Sequence, residues 1–404
     1  MKIYYGWIIV AVGIVVSCIG MGTMMSLGVF LQPITQDTSW SRTGVSAVST
    51  LNFLAMGFGS FLWGSLSDRF GSRIVVLCGG LILSAGLAAA SQVGTLLAFQ
   101  VIYGVSVGLA IGAFFVPLTT LTARWFTRHR SLAVSLVSAG LALGTTLIAP
   151  LSRWIMMTHD WRYALLVLAA MALAIILPAA LLLREPPEVP RETSATSGAA
   201  PASMTVAQAL RTPQFAAIAG AFFMCCAAHS GPIFHMVSYA ADCGVSAMAA
   251  ATVFSVAGLS AMSGRIVCGI VADRTGAKQT LVAGLALQAL AVSLYLFTSS
   301  LGSFYAVAAL FGFAYGGVMP LYAILVREYF PADIMGSVFG VVAMVSTFGM
   351  ALGPPLGGFL FDRFGGYVWL YTGSMGFAVA ATAIAVTVRP PRVGRAAQLS
   401  SSIA

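Results

Sequence analysis

The chain has 404 residues, of which 59% are hydrophobic and only 8% are charged. No water-soluble domain buries that apolar fraction, so the bilayer is the expected solvent and a soluble enzyme or binding domain is excluded. The formal net charge of +9 would suit a nucleic-acid binder in a soluble chain, but here it sits in short loops between apolar runs, and no nucleic-acid partner is expected.

Lys2 is followed by an apolar run from Trp7 to about Leu31, longer than a signal peptide requires and long enough to span. Further spans are expected near 45–66, 74–92, 96–123, 131–153 and 162–183, then at 214–239, 246–271, 279–298, 302–326, 334–360 and 367–388. The interval from Arg184 to Pro213, rich in Pro, Ser, Thr, Ala and Glu, reads as a linker between two six-helix halves. The expected organisation is therefore a bundle over 1–183, a linker over 184–213, a second bundle over 214–388 and a tail over 389–404. The six cysteines show neither metal spacing nor a disulfide framework, and no metal or cofactor is expected.

Basic residues set the expected orientation. With the N-terminus inside, fifteen Lys and Arg face the cytoplasm, four (Arg42, Arg153, Arg162, Arg363) face outside, and Arg265 alone falls within hydrocarbon. The positive-inside rule then puts both termini and the linker in the cytoplasm. The lysine-poor, arginine-rich composition with minimal loops points to a bacterial inner membrane.

The halves echo each other. Gly64-Ser-Leu-Ser-Asp68-Arg69-Phe-Gly71-Ser-Arg73 recurs 205 residues later as Gly269-Ile-Val-Ala-Asp273-Arg274-Thr-Gly276-Ala-Lys278. Arg124-Trp-Phe126 is echoed by Arg327-Glu-Tyr-Phe330, and Ala142-Leu-Gly144 by Ala351-Leu-Gly353, each of the last pair with prolines following. Parallel six-helix repeats with a site at their interface are a transporter plan. In the repeated loops the glycines permit tight turns and close helix contact, and Asp and Arg are placed to bridge neighbouring helix ends and hold one face closed.

These paired G-x-x-x-D-R-x-G-x-[RK] loops resemble the signature of the major facilitator superfamily, and the resemblance covers the whole chain. Tyr5-Gly-Trp7, Gly28-Val-Phe30, the Arg124-Trp-Phe126 to Arg130 loop, Phe313-Ala-Tyr315-Gly-Gly317 and above all Gly264-Arg265-Ile-Val-Cys-Gly269 resemble the monocarboxylate transporters and the related oxalate:formate antiporters. The resemblance implies an all-α membrane protein of twelve helices in two pseudo-symmetric bundles. It also implies that Arg265 binds a substrate carboxylate and that a tyrosine of the tenth helix touches the substrate. The chain departs from that pattern in three places. Ala261 stands where animal members carry an aspartate four residues before the arginine. No lysine lies between Trp7 and Leu31, and none lies in 334–360.

The residues alone isolate the same arginine. A lone charge at the bilayer centre costs roughly 2.5–3.5 kcal/mol on insertion scales and persists mainly where it faces an interior cavity. Eight residues before Asp273, Arg265 lies about 12 Å from the loop end at 1.5 Å per residue. Its fork suits bidentate carboxylate binding, although snorkelling or structural pairing would also explain it. His229, near the middle of the seventh span and followed by Gly231-Pro232, is the proton-coupling candidate, and a break in that helix is expected. His235 is a candidate for gating or substrate access. Tyr315, beside a Gly-Gly pair, is the orienting candidate, with Tyr322 as substitute. Thr119, Thr120 and Met21 are candidate path-lining residues, against the alternative that the threonines bond their own backbone.

No phosphate loop, HExxH motif or pair of embedded acids is present, so no catalytic residues are expected. The expectation is a secondary transporter of small monocarboxylates, by alternating access with proton symport, functioning as a monomer. A carboxylate exchanger is the first alternative, and a non-transporting sensor or a sugar or drug transporter the more distant ones.

Overall fold

The computed structural model describes residues 4–186 and 204–389. Residues 187–203 of the expected linker, and the expected tail beyond Arg389, lie outside them. In chain order the α-helices are α1 (Gly6–Met25), α2 (Leu27–Thr38), α3 (Arg42–Phe70), α4 (Ser72–Ala90), α5 (Leu96–Trp125), α6 (Arg130–Met156), α7 (Trp161–Leu181), α8 (Val206–Leu210), α9 (Pro213–Asp242), α10 (Ala247–Thr275), α11 (Ala277–Leu294), α12 (Leu301–Val318), α13 (Leu321–Tyr329), α14 (Met335–Phe364) and α15 (Val368–Thr387). Twelve stretches among the described residues are long and apolar enough to cross a membrane. With no water to satisfy exposed backbone, only a helix keeps its amides paired across such a stretch. The chain is an all-α, multi-pass integral membrane protein.

Two spans are broken, and neither is the expected one. The first is interrupted at Ser26, whose Oγ donates to the Gly22 carbonyl at 2.7 Å while the Tyr103 hydroxyl donates to the Thr23 carbonyl at 2.9 Å. The tenth is interrupted at Met319-Pro320, where proline has no N–H to return and α13 begins one residue later. The seventh span, expected to break at Gly231-Pro232, is instead one continuous helix of 30 residues. Its neighbours hold it: a Cβ at Gly231 would meet Leu370 Cδ1 at 2.6 Å, and Gly353 of α14 packs on Ser230 and Gly231. Packed neighbours let a membrane helix carry a proline without unwinding. The expected linker also contains α8, whose Thr205 and Gln208 form a reciprocal capping box.

One apolar core is built from buried residues of the first half, Ile9 to Leu183, and another from those of the second half alone. A third joins Val116, Ala123 and Val134 of the first half to α13 and α14 of the second. Tyr5 donates to the Leu182 carbonyl at 2.7 Å, so the chain's start and the end of α7 share one end of the bundle, the end that carries both repeated loops. It is called the loop end below.

The internal repeat extends into the packing. At the α1–α6 crossing, Gly140 and Gly144 lie against the backbone of Ile14 and Cys18; at the α9–α14 crossing, Gly349 and Gly353 lie against Phe223 and Ser230. At the α3–α5 crossing, Gly108 meets the Asn52 carbonyl and Gly112 meets Gly59; at α10–α12, Gly312 and Gly316 meet the carbonyls of Ala257 and Ala261. Small residues let membrane helices approach backbone to backbone, where dispersion replaces the hydrophobic drive that lipid does not provide.

At Gly140 a Cβ would lie 2.5 Å from the Ile14 carbonyl oxygen, whereas a Cβ at Gly258 meets nothing within 4 Å. Gly140→Val and Gly316→Val should therefore lower stability by about 1–3 kcal/mol or more through overpacking. Gly258→Ala should change it little. Thermal unfolding in detergent, followed by intrinsic fluorescence, separates the two classes.

Candidate functional site

The halves meet chiefly along two helix pairs, α3 with α14 and α6 with α10. In each pair a loop-end aspartate caps the N-terminus of a helix from the other half. Asp68 at the end of α3 accepts from the Gly336 amide at 3.0 Å, the Ser337 amide at 2.6 Å and the Ser337 hydroxyl at 2.8 Å, at the start of α14. Asp273 at the end of α10 accepts from the Ser131 amide at 2.8 Å and the Leu132 amide at 3.1 Å, at the start of α6. The first amides of a helix have no partner within it and carry the positive end of its dipole, so a carboxylate is the natural ligand. Gly64 allows the approach, because a Cβ there would collide with the Gly336 carbonyl; Gly269 lies against Ser135. Gly71 and Gly276 have φ of +83° and +94°, the turn that each repeated loop needs.

The two locks differ. Arg124 Nη2 bonds Asp68 at 2.9 Å and the Ala332 carbonyl at 2.7 Å, so the α3–α14 lock also has an ion pair across the halves' interface. Arg69, which the sequence placed next to Asp68, stacks over Phe70 at 5.2 Å instead. Arg73 and Arg274 are exposed. Arg327, the counterpart of Arg124, leaves its buried Nε without a partner. A cleft of about 730 Å³ opens here, lined by Asp68, Arg124, Glu185, Arg327 and Asp333 among others. It belongs to these locks and is separate from the buried arginine deeper in.

Arg265 projects from α10 at 8% exposure, two turns from Asp273, and among the described residues it has no carboxylate partner. Its Nε donates to Ser138 Oγ of α6 at 3.1 Å, across the interface between halves, while its Nη1 is buried without a partner. The Tyr315 ring of α12 stacks on the His229 ring of α9 at 5.2 Å and 22°. The charge of Arg265 acts on both groups. His229 is 2% exposed and its Nδ1 has no partner. Three residues far apart in sequence thus form one buried polar cluster, with a guanidinium edge and an imidazole nitrogen both unanswered.

The other candidates divide. His235 is half-buried beside Gly357, with its ring 5.3 Å from Tyr367, in the aromatic group at the end opposite the loops. Tyr322 is fully buried in the core, stacked on Phe222 at 3.9 Å with its hydroxyl on the Ala221 carbonyl. Thr119 and Thr120 likewise bond the carbonyls of Phe115 and Pro117 in their own helix. A helix offers a threonine hydroxyl the carbonyl three or four residues back by default. Met21 packs against the first-half core. Ser138 was missed, although Ser131, Ser135 and Ser138 stand at i, i+4 and i+7, one face of α6.

Two halves locked at one end, with a buried cationic site between them, define a membrane transporter. The chain matches the Major Facilitator Superfamily over residues 12–354, with a second match over 264–402, and it belongs to that family. Monocarboxylate transporter 13 of Bos taurus is 27% identical over 390 residues, covering 95% of this chain and 89% of the relative. Monocarboxylate transporter 11 of Homo sapiens is 28% identical over 391 residues, covering 92% and 80%. Within the superfamily the chain is monocarboxylate-transporter-like. A solved structure of the E. coli fucose:proton symporter FucP superposes with a TM-score of 0.74 at 13% identity, covering 95% of this chain and all of that one, which shows the fold.

Because Asp68 holds a helix N-terminus, a serine hydroxyl and Arg124, Asp68→Asn should weaken loop-end closure more than Asp273→Asn. Losing one charge-assisted contact set of this kind costs about 1.5–3 kcal/mol. Spin-label distances across the α3–α14 and α6–α10 seams should broaden more for the first variant, and equal broadening would remove the asymmetry.

Proposed function

We propose that this chain is a secondary carrier of small monocarboxylates that works by alternating access and moves a proton with the anion. The observation that carries the reading is the buried guanidinium of Arg265, whose Nη1 lacks any partner and which, among the described residues, no protein carboxylate answers. A substrate carboxylate would supply the missing charge and fit the fork. One embedded cation suits a monoanion. Tyr315, held between His229 and Phe311, would orient the substrate, and its ring stands 5.2 Å from each.

His229 gives the coupling a physical form. A second cation beside Arg265 in a buried site is opposed by repulsion and by lost hydration. A carboxylate bound at Arg265 removes much of that repulsion, so the proton follows the anion, and by linkage acid pH favours the anion. Anion and proton then cross as a neutral pair.

The orientation is also part of the proposal. The basic loops put the loop end, and with it both termini, in the cytoplasm, and the membrane would be a bacterial inner membrane. With the loop end locked, the site would next open to the outside. The functional unit would be a single chain, its two halves rocking about Arg265 as the paired repeats of such carriers do.

A second reading, carboxylate exchange, is favoured by one observation. Ala261, at a tight α10–α12 approach where a Cβ on Gly316 would meet its Cα at 2.6 Å, leaves the helix of Arg265 without an embedded acid one turn before the arginine.

Labelled lactate uptake into proteoliposomes tests both. Symport predicts accumulation driven by an inward proton gradient, lost by more than about tenfold in Arg265→Ala and not restored by Arg265→Lys, which lacks the planar fork. His229→Gln should abolish gradient-driven accumulation while leaving lactate–lactate exchange. Uptake confined to preloaded vesicles would establish exchange instead. Full activity in Arg265→Ala would overturn the site.

A further inference from the structure

The α6–α10 seam joins the buried site to a lock in three contacts. Ser138 Oγ accepts from Arg265 Nε at 3.1 Å; a Cβ on Gly269 would lie 2.5 Å from Ser135 Oγ; and the Ser131 amide meets Asp273 at 2.8 Å. On α6 the positions fall at i, i+4 and i+7, and on α10 at i, i−4 and i−8, so one face of each helix is involved. Each contact has one partner in each half. The uppermost ends on the guanidinium that awaits a ligand.

We propose that Ser138 is the residue that positions Arg265 for the substrate and ties occupancy of the site to closure of the loop end. This rests on the carrier reading above. With Nε fixed by Ser138, itself 5% exposed, the guanidinium cannot rotate freely, and its unpartnered Nη1 is presented to an arriving anion. A carboxylate is a stronger, charged acceptor than a serine hydroxyl. Drawing the fork onto itself, it competes with Ser138 and releases the one contact of the seam that a ligand can reach. Ser135 offers no polar substitute hold on Gly269, since its Oγ has no partner. The remaining hold is then Asp273 on the start of α6, the lock that has no arginine partner among the described residues. Anion binding thereby loosens the seam that must part for release to the loop side. A ligand shifts such an equilibrium only by its differential interaction with the two states, and Ser138 is where that difference arises.

The test uses full-length protein in nanodiscs with its six cysteines replaced and spin labels at Arg128→Cys and Gln279→Cys, one on each side of the seam. Without ligand, Ser138→Ala should raise the population with a wide seam by roughly tenfold, as loss of a hydrogen bond to a charged group implies. Ser138→Thr, which keeps the hydroxyl, should match the wild type. Lactate should widen the wild-type seam and add little in Ser138→Ala, and in uptake the alanine variant should lower the apparent KM, because the anion no longer displaces the hydroxyl, while the threonine variant keeps the wild-type value. An unliganded Ser138→Ala distribution equal to the wild type would overturn the proposal. A wild type that ignores lactate and a panel of other monocarboxylates, while Ser138→Ala still opens the seam, would count against the carboxylate reading and leave the hold of Ser138 on the gate standing.

Discussion

A guanidinium in the middle of a bilayer protein governs how the rest of this molecule can be arranged. Arg265 cannot lose its charge and cannot regain water, so its surroundings must supply polar contact or leave a place for it. The chain supplies one contact, from a serine of the opposite half, and leaves the far edge open. Ala261, which could have held an internal aspartate, instead lends its backbone to a tight α10–α12 crossing, where Gly312 and Gly316 rest on α10.

The same logic, with signs reversed, operates at the loop end. There the free partners are helix N-termini, and the protein answers them with carboxylates that belong to the other half. Neither Asp68 nor Asp273 stabilises its own helix by this contact. Each stabilises one packing of the two halves over another. Such contacts are favourable enough to hold a state, yet made of few bonds and close to solvent, so they can be exchanged. The asymmetry between the locks follows from Arg124, which reaches Asp68, Ala332 and, at 3.6 Å, Glu185. Among the described residues Arg327 has no such acid partner, and its buried Nε is left without a hydrogen bond. Under the carrier reading, the α6–α10 seam would yield first, and it is the seam that carries the site.

Much of this was legible in the sequence because the bilayer imposes simple rules. Twelve apolar runs, a repeated loop and a single embedded cation are one-dimensional signals. The break expected in the seventh span is absent because a proline acts with its neighbours, and Leu370 and Gly353, more than a hundred residues away, keep that helix whole. The breaks at Ser26 and Met319 depend on who receives the freed carbonyls. At Ser26 one recipient is Tyr103, which no local pattern reveals. Tyr322 and Tyr315 show the same limit. Both are tyrosines of one span, yet one spends its hydroxyl on a neighbouring carbonyl while the other stacks on His229. Ser138 left a trace as part of a serine stripe, but a stripe acquires meaning only when the facing helix is known to carry Arg265, Gly269 and Asp273 in matching register.

That register bears on how a small ligand could move a large bundle. Arg265 and Asp273 share one uninterrupted helix, and Ser138 and Ser131 share another. A helix transmits displacement along its axis with little loss, since each turn is tied to the next by its own hydrogen bonds. A shift at the arginine therefore reaches the aspartate about 12 Å away without any intervening chain of side-chain rearrangements. Coupling through two rigid rods needs only a contact at each end whose stability differs between states. Under the carrier reading the site end would have an anion-sensitive contact, and the loop end has a carboxylate on a helix terminus. On that reading, proton coupling would add one further charge at His229, on a third helix whose imidazole stacks on Tyr315. Anion, proton and gate would act on a single guanidinium, which is why no longer-range network has to be invoked to connect them.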